Sequence, residues 1–366
     1  MNTENNIRYQ RQIILKEFGE SGQKKLLNAK VLVIGAGGLG CPALQYLSAA
    51  GIGTIGIVDF DMVELSNLQR QILYTVEDIG KPKVEIAAKK LNALNPDIKV
   101  QIFQSQISNL NALDIIKDFD LVIDGSDNFG TRYMINDACR LLDKPLIYGA
   151  VLRFEGQLAV FNLADSTTKV KTNYRDLFPN ESSTSAISCN DVGVLGVLPG
   201  MIGTMQATEA IKIITGIGKP LTNKLLTYNA LNNSFYDLEI TSTNASFPIS
   251  KEEFVKHMYT ITCDDSSELS VTEFENLLDQ KDLLIVDIRE EGELPLVNEF
   301  QHLNLPLSKL NENFKSLATY KTIVLFCNSG QRSNQARNFL KNNLPENEIL
   351  ALSGGIIEFK KDLKLI

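Results

Sequence analysis

The chain has no tryptophan and only two histidines, His257 and His302, among its 366 residues. Both stand late in the sequence, which disfavours histidine-based catalysis throughout the longer N-terminal part. Five cysteines, Cys41, Cys139, Cys189, Cys263 and Cys327, are scattered without a CxxC pair. Local spacing therefore excludes a conventional four-ligand zinc site. No apolar run approaches the roughly 20 residues that cross a bilayer, and the opening Met1-Asn2-Thr3-Glu4-Asn5-Asn6 has no apolar signal core. The expected location is the cytoplasm, with no membrane partner. Blocks of Lys and Arg are missing as well, and a net charge of −8 argues against a nucleic-acid surface. An acidic enzyme with a protein partner fits that balance.

What is present describes an ordered protein too long for one typical core, so two domains are expected, one about twice the other. The spacing of apolar residues predicts helix over 6–27 and then a strand over 31–34. A glycine-rich turn follows, Gly35-Ala36-Gly37-Gly38-Leu39-Gly40, with a helix over 42–50 and a strand over 55–58 that closes in Asp59. Helices over 84–94 and 131–142 then alternate with strands over 100–103, 121–123 and 146–151. This alternation implies an α/β fold with a largely parallel sheet. A strand over 156–161 precedes a loop-like stretch over 165–191, rich in Ser, Thr and Asn. An apolar helix over 195–215 and strands over 225–228 and 234–238 close the first domain near residue 240. Polar residues 241–265 read as a flexible linker, and residues 266–366 hold a second, small α/β set. Its helices are expected near 271–278 and 332–340, with one more at the end, and its strands over 283–286, 323–326 and 349–352.

Gly35, Gly37 and Gly40 form GxGxxG between a strand and a helix, with Asp59 about 19 residues beyond. Such glycines let the backbone approach a phosphate, the helix N-terminus supplies amide donors, and the carboxylate accepts from ribose hydroxyls. Alone, the pattern most often marks a dinucleotide cofactor. Three further segments shift the balance: Ser66-Asn67-Leu68-Gln69-Arg70-Gln71, Gly80-Lys81-Pro82-Lys83 and Gly125-Ser126-Asp127-Asn128. Arg70 and Lys83 supply positive charge for a triphosphate and a leaving pyrophosphate, while Asp127 at a strand end can hold Mg²⁺. The constellation suits adenylyl transfer.

Arg8-Tyr9-x-Arg11-Gln12, the glycine turn, Val58-Asp59-Phe60-Asp61, Asn67-Leu68-Gln69-Arg70, Gly80-x-Pro82-Lys83 and Ser126-Asp127-Asn128 together resemble the MoeB/ThiF/HesA family over residues 6–240. The resemblance implies a Rossmann-like ATP-binding domain with a mixed, mainly parallel sheet. It implies adenylylation of the terminal glycine of a ubiquitin-like sulfur-carrier protein ending in Gly-Gly, of MoaD or ThiS type, in molybdopterin or thiamine biosynthesis. Carried over by motif, Gly38, Asp59, Ser66, Asn67, Leu68, Gln69, Arg70, Lys83, Asp127 and Asn128 would bind ATP and Mg²⁺. Arg11 would enter the partner subunit's site, which makes a homodimer expected. Cys189 resembles the family's crossover-loop cysteine, which forms a thioester or acyl disulfide in some members, and a following helix would favour its thiolate. Relatives often carry two CxxC pairs for zinc; the first would fall around Asn173-Tyr174-Arg175-Asp176, which has no cysteine, so zinc is not expected.

Cys327-Asn328-Ser329-Gly330-Gln331-Arg332-Ser333 lies between an apolar strand and a helix, where backbone amides stabilise a thiolate or persulfide. With Val286-Asp287-Ile288-Arg289-Glu290 and Leu352-Ser353-Gly354-Gly355-Ile356, it resembles the rhodanese homology domain over residues 266–366. The six residues from Cys327 to Arg332 are the loop length associated with sulfur, whereas related phosphatases use a longer loop. Residues 292–301 match that domain poorly, which leaves an inactive binding module as the alternative. The expected enzyme is a nucleotidyltransferase with sulfurtransferase activity. Arg11, Arg70, Lys83, Asp127 and Cys189 serve the acyl chemistry, and Cys327 with Arg332 carries sulfur from a donor such as a cysteine desulfurase. The competing readings are activation of a ubiquitin-like modifier through a Cys189 thioester, a non-catalytic carrier-binding scaffold, and a dehydrogenase.

Overall fold

The computed structural model describes residues 3–179, 193–243, 250–257, 259, 268–278, 280, 282–344 and 347–363. The chain divides into two units, residues 1–262 and 263–366.

In the first unit, strands β1 (Lys30–Ile34), β2 (Thr54–Val58), β3 (Lys99–Phe103), β4 (Leu121–Asp124), β5 (Leu146–Leu152), β6 (Glu155–Phe161), β7 (Lys224–Asn229) and β8 (Ser234–Glu239) form one sheet. Its order is β3-β2-β1-β4-β5-β6-β7-β8, parallel as far as β5 and antiparallel beyond it. The central strands are apolar on both faces, as a sheet covered on both sides requires. On β1, Val31 and Val33 enter one core with Leu44 and Leu47 of the Gly40–Ala50 helix. Leu32 and Ile34 enter the other, with Met134 and Ile135 of the Phe129–Leu141 helix. Strand order reverses between β1 and β4, which opens a crevice at their carboxyl ends where α/β sheets take their ligands.

The second unit is a five-stranded parallel sheet, β11-β10-β12-β13-β9, built from β9 (Glu268–Leu269), β10 (Leu283–Asp287), β11 (Leu303–Asn304), β12 (Thr322–Phe326) and β13 (Glu348–Leu352). Ile323 and Leu325 of β12 face one core, Val324 and Phe326 the other. Among the described residues, no helix is long and apolar enough to cross a membrane.

Three expectations need correction. The helix foreseen over 6–27 is two helices, Thr3–Ile13 and Gly19–Asn28, because the chain turns at Gly19 with φ 56°. The loop foreseen over 165–191 contains a short helix, Tyr174–Leu177, whose Tyr174 is buried among Tyr133, Tyr148 and Phe178. The linker foreseen over 241–265 includes a helix, Lys251–Lys256, started by Ser250, whose side chain accepts from the Glu253 amide at 3.1 Å. Phe254 is fully buried in the first unit's core, and the Tyr259 hydroxyl donates to Asp137 Oδ2 at 2.9 Å. Burial of two aromatic rings anchors this stretch, so residues 250–259 belong to the first unit rather than to a flexible tether.

Candidate functional site

The glycine turn sits at the strand-order reversal. Gly35 has φ 92°, and a side chain there would come within 2.7 Å of the Gly125 carbonyl oxygen, so the loops after β1 and β4 touch backbone to backbone. A side chain at Gly40 would overlap the Gly35 carbonyl, which sets the Gly40–Ala50 helix tightly against its own turn. Gly37 and Gly38 form the outer part, Gly38 lying against Pro199 of the Val197–Thr215 helix.

Asp59 closes over this turn. Its Oδ2 accepts from the Ala36 amide at 2.7 Å and its Oδ1 from the Asp61 amide at 2.8 Å. Burial raises the Asp59 carboxyl above the usual carboxylate range, with Lys83 opposing. Lys83 is nearly buried at the start of the Lys83–Leu94 helix, and its Nζ donates to Asp61 Oδ2 at 2.7 Å. The Tyr74 hydroxyl donates to the Ala36 carbonyl at 2.9 Å, binding this neighbourhood to the glycine turn.

The Ser66–Arg70 segment follows a 3-10 turn, Leu65–Asn67, in which Glu64 and Asn67 cap each other. Ser66 Oγ donates to Glu64 Oε2 at 3.1 Å, Leu68 packs on the first core, and the Gln69 carbonyl lies against Gly196. Arg70 is half-buried, donating to the Ser66 carbonyl at 3.1 Å, and its Cγ flanks Gly38. After β4, Asp127 is exposed, whereas Asn128 accepts from the Thr131 amide at 2.9 Å and so caps the Phe129–Leu141 helix. Arg11 is exposed in the last turn of the Thr3–Ile13 helix. Cys189 lies outside the described residues.

Two groups here escaped the sequence reading. Asp61 is the partner that fixes Lys83. Asp124, the last residue of β4, is buried; its Oδ1 accepts from the Ser126 amide at 2.9 Å and hydroxyl at 2.6 Å, while its Oδ2 has no hydrogen-bond partner among the described residues. Burial raises its pKa. Cys41 and Cys139 are also buried, and desolvation pushes the Cys41 thiol up to about 12, so neither is a ready nucleophile. At the position where the resemblance would have placed a first cysteine pair, Arg175 makes a buried bidentate pair with Asp137, at 2.9 and 2.6 Å, and lies over the Tyr133 ring.

In the second unit, Cys327 follows β12 and is buried, with its Sγ 3.7 Å from Ser333 Oγ. Ser333 spends its only proton on the Gly330 carbonyl at 2.7 Å, so in this arrangement the cysteine thiol is the donor between them. The Gln331–Asn343 helix begins directly after Gly330, and its first-turn amides are left free by helix geometry to face an anion. Arg332 does not stand open beside the sulfur: both ends of its guanidinium donate to Glu293, at 2.6 Å each. Glu293 lies in the stretch 292–301, whose sequence resembles that domain only poorly.

Comparison with known proteins places the chain in a family. The chain matches the ThiF family over residues 9–249 and the rhodanese-like domain over residues 270–362. A Mycobacterium tuberculosis protein named "Probable adenylyltransferase/sulfurtransferase MoeZ" is 39% identical over 367 residues, covering 98% of this chain and 93% of that one. The sulfur carrier protein adenylyltransferase of Thermus thermophilus is 49% identical over 247 residues, covering 67% of this chain and 91% of that one. Among solved structures, Escherichia coli MccB with ATP superposes with a TM-score of 0.54 at 22% identity, over 66% of this chain and 73% of that one, which is a likeness of fold.

Proposed function

The chain belongs to the ThiF family and carries a rhodanese-like domain, and from that premise we propose that it adenylates the terminal glycine of a ubiquitin-like sulfur-carrier protein and then thiolates it. It is a nucleotidyltransferase with sulfurtransferase activity. The observation that carries the reading is the nearly buried Lys83, fixed by Asp61 and tied to the glycine turn through the Tyr74 hydroxyl, which bonds the carbonyls of both Ala36 and Lys83. A desolvated, pre-aimed ammonium stabilises charge that grows on phosphate oxygens far more than a solvated one does.

In the first half-reaction, a carboxylate oxygen of the carrier attacks the α-phosphorus of ATP. The O–P bond to pyrophosphate breaks, and an acyl adenylate remains. The Gly37 to Gly40 backbone receives the phosphates, Asp59 stands ready for ribose hydroxyls, and Lys83 and Arg70 offset negative charge. The single exposed carboxylate of Asp127 suits Mg²⁺, which binds through one or two carboxylates together with substrate phosphates. When bound, that ion supplies further charge neutralisation. In the second half-reaction, the terminal sulfur of a Cys327 persulfide attacks the acyl carbon and AMP leaves. A thiol, for which Cys189 is the candidate on this chain, then attacks the Cys327 sulfur of that acyl disulfide, so that the thiocarboxylate leaves and a disulfide to Cys327 forms, which a small-molecule thiol or dithiol reductant must reduce before the next turnover. The persulfide comes from an external donor of cysteine desulfurase type in a reducing cytoplasm.

Arg11 stands among the exposed Ile7, Ile14 and Leu15 at the N-terminal helix, a surface that suits a second copy of the chain. Mixing Arg11→Ala with Asp127→Ala protomers should restore activity if Arg11 serves its neighbour. Molybdopterin and thiamine carriers are both candidate substrates. ATP–pyrophosphate exchange with each carrier ending in Gly-Gly tests the whole reading. Carrier-dependent exchange that Asp127→Ala abolishes supports it and names the partner, whereas no exchange with any competent carrier leaves only a scaffold. A reducible carrier adduct on Cys189 that persists would favour modifier activation instead.

A further inference from the structure

A carboxylate that the chemistry of Cys327 does not require stands over the sulfur loop. Glu293 receives two hydrogen bonds from Arg332, at 2.6 Å each, and one from Asn328 Nδ2 at 3.2 Å. Arg289, the second guanidinium bonded to this loop, donates to Asn328 Oδ1 at 3.0 Å and is held by Asp287 at 2.9 and 2.6 Å. The two guanidiniums hydrogen-bonded at this loop, Arg289 and Arg332, are thus each held by a bidentate carboxylate. A fork already occupied by one carboxylate cannot also chelate an incoming oxyanion. Glu293 also places a negative charge at the point such an ion would approach.

We propose that Glu293 is a specificity-determining residue of the sulfur loop: by closing Arg332 it turns away free sulfur oxyanions such as thiosulfate and leaves Cys327 to be charged from a thiol-borne persulfide. The proposal rests on the reading of Cys327 as the sulfur carrier. Either donor yields the same product. The Cys327 thiolate attacks the outer sulfur, the donor's S–S bond breaks, and sulfite or a thiolate leaves with the electron pair. Thiosulfate arrives with two negative charges and needs a free guanidinium; a persulfide carries at most one and does not.

The test uses the full chain with two donors, thiosulfate in a steady-state assay with cyanide as acceptor, and cysteine persulfide followed by mass spectrometry of the Cys327 peptide. Glu293→Gln should lower the KM for thiosulfate on the order of tenfold or more, the scale of one charge-assisted hydrogen bond, while persulfide loading stays unchanged. Glu293→Ala should move the same way, and adding Arg332→Ala should cancel the gain. Unchanged thiosulfate kinetics in both Glu293 variants, or an equal fall with both donors, overturns the proposal. Failure of wild-type Cys327 to load from either donor sinks the sulfur-carrier reading itself, and the gate with it.

Discussion

Around the glycine turn, charge resides on side chains the fold has committed in advance: Lys83 is nearly buried and held by Asp61, and Asp59 is pinned by two backbone amides. Around Cys327 the cations are closed more fully than Lys83, which gives Asp61 only one of its three donors. Arg289 and Arg332 are cancelled by Asp287 and Glu293, and a cup of backbone amides remains. The contrast follows from the ligands. A triphosphate brings several charges and rewards desolvated cations. A single sulfur anion needs only oriented amides, which frees the side chains nearby for selection.

The comparison breaks most visibly if the two sites fail to separate. Asp127→Ala should reduce carrier-dependent exchange by about 10³-fold or more while sulfur loading of Cys327 stays within about twofold. Cys327→Ala should do the converse, and loss of both half-reactions in either variant would end the case for two independent chemistries.

Next in size is the buried pair that ties the Tyr174–Leu177 helix to the Phe129–Leu141 helix. Asp137→Ala removes the carboxylate that pairs with the buried Arg175 guanidinium and should cost about 3–5 kcal/mol in urea unfolding, against about 1 kcal/mol for Tyr259→Phe. Equal, small effects would mean that the network is solvated. Lys83→Met, which keeps the volume and deletes the charge, should lower kcat/KM for exchange by roughly ten- to a hundredfold, with little change in stability.

The smallest expected effect is a null one. The Arg332 guanidinium beside Glu293 holds its carboxyl down to about 2. A depressed carboxyl keeps its pair above the ordinary carboxylate pKa and loses it only as the pH falls towards the depressed value. The ratio of thiosulfate kcat/KM between Glu293→Gln and wild type should therefore be flat from roughly pH 5 to pH 8. A rise of the wild-type rate within that window would show that the gate titrates and that the pairing is weaker than its geometry.

Much of both sites was legible because it is local. The glycine turn, Asp59 at the end of β2, and Cys327 between β12 and its helix each follow from a strand, a turn and a helix adjacent in sequence. The groups that escaped notice act across distance. Glu293 meets Arg332 across 39 residues, and no spacing rule joins them. Asp61 was part of a quoted motif, yet its role appears only once the Lys83–Leu94 helix returns to it. Asn128 was read as a ligand, and its Oδ1 also caps the Phe129–Leu141 helix, a role the motif did not show. The anchored helix at 251–256 did have a signal: Ser250-Lys251-Glu252-Glu253 is a capping box, overlooked within a polar stretch read as linker. The short elements, β9, β11 and the helices Ala112–Ile116 and Leu307–Asn313, are too brief to show a period.

Gly355 begins the Gly355–Asp362 helix with φ 63°, and a side chain there would overlap the Cys327 carbonyl, which also accepts from the Ile356 amide at 2.8 Å. The Gly355–Asp362 helix is thus the floor of the sulfur loop. For anyone engineering this chain, an affinity tag that disturbs the final helix, or a truncation placed before it, will read out as lost sulfur chemistry although the cysteine itself is untouched.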